Sequence, residues 1–299
     1  MKPMKTRLLI IPVLIMIFLA CETLDNHPEG YANPHLLADA SWLAENLEDE
    51  NIRIVDMRDD PGEDFIPGAV YFGGAPELID TTHEVAGYLK NAEDFASLMS
   101  EYGITQDQTV VIYDEGKSLR SSRLFLALEY YGHTDVRILN GGFEAWKEEN
   151  RETVSEPADP EPATFTVTMN EIALCDLQTV LNSVGDENTV IVDARPADQF
   201  SGETVRAERG GHIPGAVNLY WEEMISEEGV PVFKTAEKIR EIHAEHGITP
   251  DKRVITHCHS NMQASNAYFV LRLMGYTDIT SYEGSWSEYG NNPDVPVEM

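Results

Sequence analysis

The chain has 299 residues, which is enough for two domains of ordinary size that each bury a core, and its apolar fraction of 42% is that of a globular protein. Its 52 acidic side chains outnumber its 21 basic ones and give a net charge of −31. A body this negative repels nucleic acid and anionic membrane surfaces, so neither is an expected partner.

The N-terminal residues 1–21 have the layout of an export signal. Basic residues precede an apolar run over residues 8–19, and Cys21 follows directly after Ala20. The run is short for a membrane span, and a small residue precedes Cys21, as at a cleavage site. The segment resembles a bacterial lipoprotein signal, although Phe18 stands where leucine is more usual. It implies an exported protein that is anchored through a lipid on Cys21; the alternatives are a plain secretory signal and an uncleaved anchor.

The rest of the chain contains two copies of one pattern, with an offset that stays between 137 and 147 residues. An acidic, proline-containing segment separates the copies. We therefore expect a first domain over 33–150, a linker over 151–163 and a second domain over 164–299. The matching stretches are Val55-Asp-Met-Arg58 with Val192-Asp-Ala-Arg195, Ile66-Pro-Gly-Ala-Val70 with Ile213-Pro-Gly-Ala-Val217, and Tyr131-Gly-His-Thr-Asp-Val136 with Met274-Gly-Tyr-Thr-Asp-Ile279.

Short β-branched runs alternate with helical patterns in both copies, which predicts an α/β fold with a parallel sheet and helices on both faces. In such sheets the reactive groups lie at the carboxyl ends of the strands. The predicted strands are Ile52–Asp56, Val110–Tyr113, Val136–Leu139, Val190–Asp193, Arg253–His257 and Ile279–Tyr282, and the predicted helices include Phe95–Tyr102, Arg123–Tyr131 and Ala264–Met274.

Cys258 lies between the predicted strand Arg253–His257 and the predicted helix Ala264–Met274. Backbone N–H donors and the positive end of a helix dipole favour a thiolate in such a place, so Cys258 is a candidate nucleophile. A buried packing cysteine is the alternative. Cys175 matches Ala38 of the first copy, which predicts a small buried residue, and these cysteines do not make a disulfide framework.

Longer motifs carry a family resemblance from about Leu37 to the C terminus. They are Val192-Asp-Ala-Arg195 with His212-Ile-Pro-Gly-Ala-Val-Asn218, Leu139-Asn-Gly-Gly-Phe-Glu-Ala-Trp146 and Tyr282-Glu-Gly-Ser-Trp-Ser-Glu-Tyr289. With these motifs the chain resembles the tandem-domain rhodaneses, the thiosulfate and 3-mercaptopyruvate sulfurtransferases. The resemblance implies a catalytic Cys258 in the second copy and a non-catalytic first copy, where Asp114 occupies the matching place.

The implied reaction moves a sulfane sulfur from a small anionic donor to a thiol or cyanide acceptor through a persulfide on Cys258. It needs no metal and no organic cofactor. The thiolate attacks the outer sulfur of the donor, and the loop after the cysteine stabilises the persulfide anion. The predicted active-site loop consists of His259, Ser260, Asn261, Met262 and Gln263.

Three positions depart from the family pattern. Asn261 stands where glycine is usual, Gln263 where a basic residue or threonine is frequent, and Gln199 where many sulfurtransferases have arginine. Fewer positive charges weaken the hold on a dianion such as thiosulfate. Between its Arg and its Pro, however, the second copy has ten extra residues, which include Arg206 and Arg209. We expect Gln199 and one of these arginines at the substrate, or both arginines as solvated charges.

Asp193 and Arg195 are predicted to form a structural ion pair beneath the loop, because both copies keep this arginine and only one has the thiol. A tyrosine-phosphatase-like site is not expected, since that loop needs arginine six residues after the cysteine and Ala264 is there. His257 and His259 flank Cys258 but lack metal-site spacing, and neighbours on a strand point to opposite faces, so a metal site is not expected. The remaining alternative to an enzyme is a sulfur-carrier or binding module that keeps the fold and the thiol but turns over poorly.

Overall fold

The computed structural model describes residues 30–299. The predicted export signal and Cys21 lie outside the described residues. In the part of the chain from Gly30 onward, no helix combines the length and the apolar character needed to cross a membrane.

Two parallel sheets of five strands each form within residues 30–299, one from each copy of the sequence pattern. The strand order of the first is β1-β5-β4-β2-β3, and that of the second is β6-β10-β9-β7-β8. The strands are β1 Leu37–Ala38, β2 Ile52–Asp56, β3 Val70–Tyr71, β4 Thr109–Tyr113, β5 Val136–Leu139, β6 Leu174–Cys175, β7 Thr189–Asp193, β8 Val217–Asn218, β9 Arg253–His257 and β10 Ile279–Tyr282. The predicted architecture of two tandem α/β units is confirmed.

The central strands are buried almost throughout, which suits their β-branched sequences, because helices cover both faces of a parallel sheet. The α helices are α1 Ala40–Glu45, α2 Ala92–Glu101, α3 Leu119–Tyr130, α4 Gly142–Glu148, α5 Leu177–Ser183, α6 Ala197–Phe200, α7 Ala236–Glu245, α8 Met262–Leu273 and α9 Ser285–Tyr289. Three short 3-10 helices in residues 30–299 cover Pro34–Leu36, Ala75–Leu78 and Trp221–Met224.

The helix after Cys258 begins earlier than predicted. The prediction placed its start just past Gln263, whereas α8 begins at Met262. The reason is Asn261, which takes the left-handed conformation with φ of 62° and turns the chain directly into the helix. Gln263 therefore belongs to the first helical turn, beside the loop that holds the thiol.

The two copies pack against each other through equivalent helices, α3 and α8. Phe125 of α3 and Phe269 of α8 meet edge to face with ring centroids 4.8 Å apart. Nearby, Arg272 of α8 forms an ion pair with Glu129 of α3. Because the pairing is between matching elements, each copy presents its own β4 or β9 loop to the other.

The segment predicted as a linker lies along the first copy. Val154 forms a two-residue antiparallel bridge with Phe65, and the Ala158 N–H donates to the Ala69 carbonyl at 2.8 Å. Further on, the Ala163 N–H donates to the carbonyl of Ser100 at 2.8 Å. These hydrogen bonds hold the connecting segment in place; its boundaries remain predictions.

Candidate active site

Cys258 follows β9 directly, at the carboxyl end of a central strand of the second sheet. Only 1% of the residue is exposed, and it packs in a small apolar cluster with Ala194, Trp221 and Ala264. Leu119 of the first copy packs against the same cluster. Side chains of both copies therefore enclose the thiol.

The loop from Cys258 to α8 is held by its own asparagine. The Asn261 Nδ2 donates to the Tyr282 carbonyl at 3.3 Å, and its Oδ1 accepts from the Ser281 hydroxyl at 2.7 Å. Asn261 thus fits the left-handed position where the family pattern has glycine, and it gains two anchors on β10. The backbone N–H groups of residues 259–264 have no acceptor in residues 30–299.

The matching loop of the first copy shows what such N–H groups do. Asp114 is buried, and its carboxylate accepts hydrogen bonds from four backbone N–H groups at 2.9 to 3.2 Å, those of Gly116, Ser118, Arg120 and Ser121. Burial raises the pKa of Asp114, and the N–H donors of Ser121, Ser118 and Gly116 oppose that shift. The loop architecture is therefore an anion-binding one.

The segment after β10 is hydrogen-bonded to the start of the loop that follows Cys258. The Trp286 N–H donates to the Cys258 carbonyl at 2.9 Å, and the Ser287 N–H donates to the His259 carbonyl at 2.8 Å. The Ser285 hydroxyl accepts from the Cys258 N–H at 3.3 Å. These bonds fix the start of the loop without using the N–H groups of residues 259–264.

Two histidines flank the thiol, and both are neutral near pH 7. Burial lowers the pKa of His257 to about 4, against the attraction of Asp193, whose carboxylate lies 3.6 Å from the His257 Nε2. Burial also lowers the pKa of His259 to about 4, and the charges of Arg206 and Arg195 add to this shift. Neither histidine supplies positive charge to the loop at neutral pH.

Asp193 and Arg195 form a buried bidentate pair, with contacts of 2.5 to 3.0 Å. The Arg195 guanidinium also donates to the Gly211 carbonyl at 2.9 Å and stacks on Trp286. Asp56 and Arg58 repeat the arrangement in the first copy. The shared geometry, in a copy without the thiol, is that of a structural ion pair.

The two arginines of the ten-residue insertion have different surroundings. Arg209 donates to the backbone carbonyls of residues 289, 290, 292 and 295, so its guanidinium is committed to the C-terminal segment. This geometry argues against Arg209 as a substrate ligand. Arg206 is exposed and close enough to His259 to lower the pKa of that side chain. Gln199 is half-buried, and its Oε1 has no partner in residues 30–299.

A segment of the first copy, which sequence reasoning missed, packs on the loop that follows Cys258. Gly87 has a φ of 101°, and a Cβ there would come within 2.7 Å of the Ser260 carbonyl oxygen, so only glycine fits. The Leu89 N–H donates to the Glu283 carboxylate at 2.9 Å. The guanidinium of Arg123 donates to the Gly87 carbonyl at 2.6 Å. The sequence signal for this contact was an arginine at the start of the apolar stretch of a predicted helix.

Cys175 lies on β6 opposite Tyr282, as Ala38 lies on β1 opposite Leu139. Burial raises the pKa of the Cys175 thiol to about 12, so it is not a competing nucleophile near neutral pH. Both Cys175 and Cys258 are free. Over the described range 30–299 there is no cluster of three or more histidine, cysteine, aspartate or glutamate side chains arranged to hold a metal ion.

Comparison with known proteins gives three kinds of match. A family model described as the rhodanese-like domain matches residues 39–149 and 176–292. A sulfur carrier protein of Thermus thermophilus is 32% identical over 284 residues, covering 90% of this chain and 98% of the relative. A thiosulfate sulfurtransferase of Corynebacterium glutamicum is 32% identical over 287 residues, covering 90% of this chain and 92% of the relative.

Among solved structures, SseA from Escherichia coli is similar to this chain with a TM-score of 0.74 and 30% identity. The match covers 85% of this chain and 99% of that one. The structure of SseA is described as showing the rhodanese fold and catalytic mechanism of 3-mercaptopyruvate sulfotransferases.

Proposed function

The chain belongs to the rhodanese family and is a sulfurtransferase, and from this premise we propose that it transfers sulfane sulfur through a persulfide on Cys258. The observation that supports this most is the contrast between the loops. Four N–H groups of the first loop bind the Asp114 carboxylate, whereas the N–H groups of residues 259–264 have no acceptor in residues 30–299. An anionic sulfur on Cys258 supplies that acceptor.

In the first half-reaction the Cys258 thiolate attacks the outer sulfur of the donor. A new Sγ–S bond forms as the donor's bond to that sulfur breaks, and the electron pair leaves with the remainder of the donor. With thiosulfate this remainder is sulfite. With 3-mercaptopyruvate it is pyruvate, whose methyl carbon takes up the proton of the donor thiol. In the second half-reaction a thiol or cyanide attacks the outer persulfide sulfur and regenerates the thiolate.

Arg206 is the proposed contact for the anionic donor. It is exposed, it lies in the insertion that only the second copy has, and its charge reaches His259 in the active-site loop. Gln263, in the first turn of α8, adds a neutral donor where a cation would bind thiosulfate more strongly. This arrangement favours a singly charged donor such as 3-mercaptopyruvate over the thiosulfate dianion.

A sulfur carrier is the second candidate function. One relative is named as a sulfur carrier protein, and Cys258 is almost completely enclosed. A carrier accepts sulfur from one protein and delivers it to another, so its persulfide forms but turns over slowly with small acceptors.

We also propose that the protein is exported and anchored by a lipid on Cys21. The support is the order of basic residues, an apolar run and a cysteine within residues 1–21. A Cys21→Ser variant should then lose both membrane association and the lipid-modified N-terminal peptide in mass spectrometry. Unchanged membrane association and no modified peptide in the parent protein would contradict the anchor.

The test of function is turnover by the full-length protein with thiosulfate or 3-mercaptopyruvate as donor and cyanide or a dithiol as acceptor. We expect turnover that is higher with 3-mercaptopyruvate and absent in Cys258→Ala. A persulfide on Cys258 with negligible turnover would favour the carrier. Neither persulfide nor turnover with any donor would contradict both functions.

A further inference from the structure

A buried guanidinium lies between the two copies. Arg123 of α3 has no exposed surface, and its Nη2 donates to the Gly87 carbonyl at 2.6 Å. Its Nε and Nη1 atoms have no hydrogen-bond partner anywhere in residues 30–299. A buried cation with unsatisfied donors is costly unless an opposite charge compensates it. The surroundings of Arg123 should therefore contain that charge.

Two of the groups that interact with Arg123 electrostatically, Glu283 and Cys258, belong to the second copy. Burial lowers the pKa of Arg123, and the interactions with Glu283, Cys258 and Tyr131 oppose this shift. Glu283 follows β10 and is held by the Leu89 N–H. Gly87, the hydrogen-bond partner of Arg123, rests on Ser260, two residues after the thiol. Arg123 thus contacts the segment at Gly87 that packs on the loop after Cys258, and it lies within electrostatic range of Cys258.

The other half of the interface provides an internal control. Asn266 of α8 matches Arg123 of α3, and its Nδ2 donates to the Ser118 carbonyl of the first loop at 3.3 Å. Likewise Asn140 matches Glu283, and its Oδ1 accepts from the Phe233 N–H at 3.0 Å as Glu283 accepts from Leu89. The hydrogen bonds are repeated, but the two residues beside the Asp114 loop are neutral asparagines. The matching residues beside the thiol, Arg123 and Glu283, are ionisable.

We propose that Arg123 is a positioning residue that the first copy contributes to the second copy's active site, where it stabilises the anion on Cys258. Glu283 compensates part of its charge and so limits the effect. In a low-dielectric interface a nearby fixed cation favours a thiolate over a thiol. The non-catalytic copy therefore serves the chemistry electrostatically, in a loop whose own residues 258–265 carry no lysine or arginine.

The other ionisable groups around the loop are neutral, paired with an opposite charge, or on its remaining sides. His257 and His259 are neutral above about pH 5, because burial lowers the pKa of each to about 4. Arg195 is neutralised by Asp193. The groups on the remaining sides are Arg206 beyond His259, Tyr220 beside the thiol cluster, Glu288 beneath Tyr282, and the Lys117–Glu222 ion pair.

The experiment measures the rate at which iodoacetamide alkylates Cys258 in the full-length protein as a function of pH, with the Cys258 peptide followed by mass spectrometry. The variants are Arg123→Asn and Glu283→Asn, which copy the neutral half of the interface, their double variant, and Arg123→Lys. Arg123→Asn should raise the apparent thiol pKa by about one unit, which is roughly tenfold less thiolate near neutral pH. Glu283→Asn should lower it, and Arg123→Lys should stay near the parent value.

An electrostatic role predicts that the pH profiles of alkylation in Arg123→Asn and Glu283→Asn shift in opposite directions. A loss of packing would shift the two profiles in the same direction. Unchanged pH profiles, or equal shifts in both, would overturn the proposal even if thermal stability falls. If Arg123→Asn does not fold, the Glu283→Asn profile decides: a lower apparent thiol pKa supports the proposal and an unchanged one overturns it. The proposal rests on the proposed function only in so far as the stabilised anion is a persulfide. Alkylation of Cys258 needs no sulfur donor, so the role of Arg123 and the sulfurtransferase function can fail separately.

Discussion

The loops after β4 and β9 are held by equivalent backbone hydrogen bonds, but one begins with a carboxylate and the other with a thiol. In each, a backbone N–H group of the helix after the neighbouring strand donates to the loop's first carbonyl: Phe143 of α4 to Asp114 in the first copy, and Trp286 of α9 to Cys258 in the second. The first loop encloses its own carboxylate, which uses four N–H donors. The second begins with a thiol and leaves the equivalent donors without an acceptor in residues 30–299.

This difference teaches that the same fold can present a loop of backbone N–H donors in both copies, and that the residue at the start of the loop determines whether those donors already have an acceptor. Asp114 occupies the N–H donors of the first loop, whereas under the proposed function a reversible anion on Cys258 uses those of the second. The first loop is also one residue longer, because four residues separate Asp114 from α3 and three separate Cys258 from α8. Substitutions that exchange features between the copies test the comparison directly.

The largest effect is expected when the second loop is given the occupant of the first. Cys258→Asp should reduce sulfur transfer by at least about 10³-fold, because the nucleophile is lost, while the carboxylate binds the free N–H groups and preserves the fold. Turnover and thermal unfolding measure the two effects. Cys175→Ala is the matched control and should keep its activity. Sulfur transfer by Cys258→Asp within tenfold of the parent would break the comparison.

The reverse experiment removes the carboxylate from the first loop. Asp114→Ala should lower the free energy of unfolding by roughly 2–4 kcal/mol, because it leaves four buried N–H groups without their acceptor. Denaturant unfolding measures the change. Asp114→Asn retains one carbonyl oxygen and should lose less. A loss below about 0.5 kcal/mol in the alanine variant would show that water satisfies the donors and that the carboxylate is not needed.

Acid should destabilise the second copy through His257, which occupies the position of Tyr113 in the first. The folded-state pKa of His257 is lowered to about 4 from 6.5, so between these pH values the unfolded chain binds the proton and the folded chain does not. Stability should therefore rise with pH across this window, by at most on the order of 3 kcal/mol from this residue.

Denaturant unfolding at pH 4.5 and pH 7 measures this dependence. His257→Gln should flatten it by removing the titrating ring. His243 is the control for specificity, since burial lowers its pKa to about 4 as well and His243→Gln should remove a separate share. An unchanged pH dependence in His257→Gln would contradict the assignment.

The smallest effect is expected in the insertion that only the second copy carries. Arg206→Ala should raise KM for an anionic donor by about 5- to 10-fold with little change in Tm, because it removes an exposed charge near His259. Arg209→Ala should instead lower Tm, since its guanidinium binds four backbone carbonyls. Steady-state kinetics and thermal unfolding measure these effects. Equal changes of KM in both variants would contradict the assignment of a donor contact to Arg206 and a structural role to Arg209.

Much of the fold follows from sequence pattern because the central strands are buried and β-branched. β2, β5, β9 and β10 have the predicted bounds. The two-residue strands β1, β3, β6 and β8 were not predicted, since a pair of residues shows no periodicity. The start of α8 was misplaced because the left-handed Asn261 starts the helix without a side-chain cap.

The site was only partly predictable for a different reason. Cys258 and its loop are local in sequence, and the repeat marks them. Gly87, Arg123 and Glu283 come from three separated segments that meet when the copies pack together, and no local pattern reports such a meeting. The role of Arg209 also depends on a distant partner, the C-terminal segment that accepts its hydrogen bonds.

The most direct test of the central claim is mass spectrometry of the full-length protein after incubation with 3-mercaptopyruvate or thiosulfate and no acceptor. The account predicts an added mass of about 32 Da on the Cys258 peptide, its removal by a dithiol, and no such mass on the Cys175 peptide. An adduct on Cys175 with Cys258 unmodified, or no adduct with either donor, would contradict the claim that the second loop holds a persulfide.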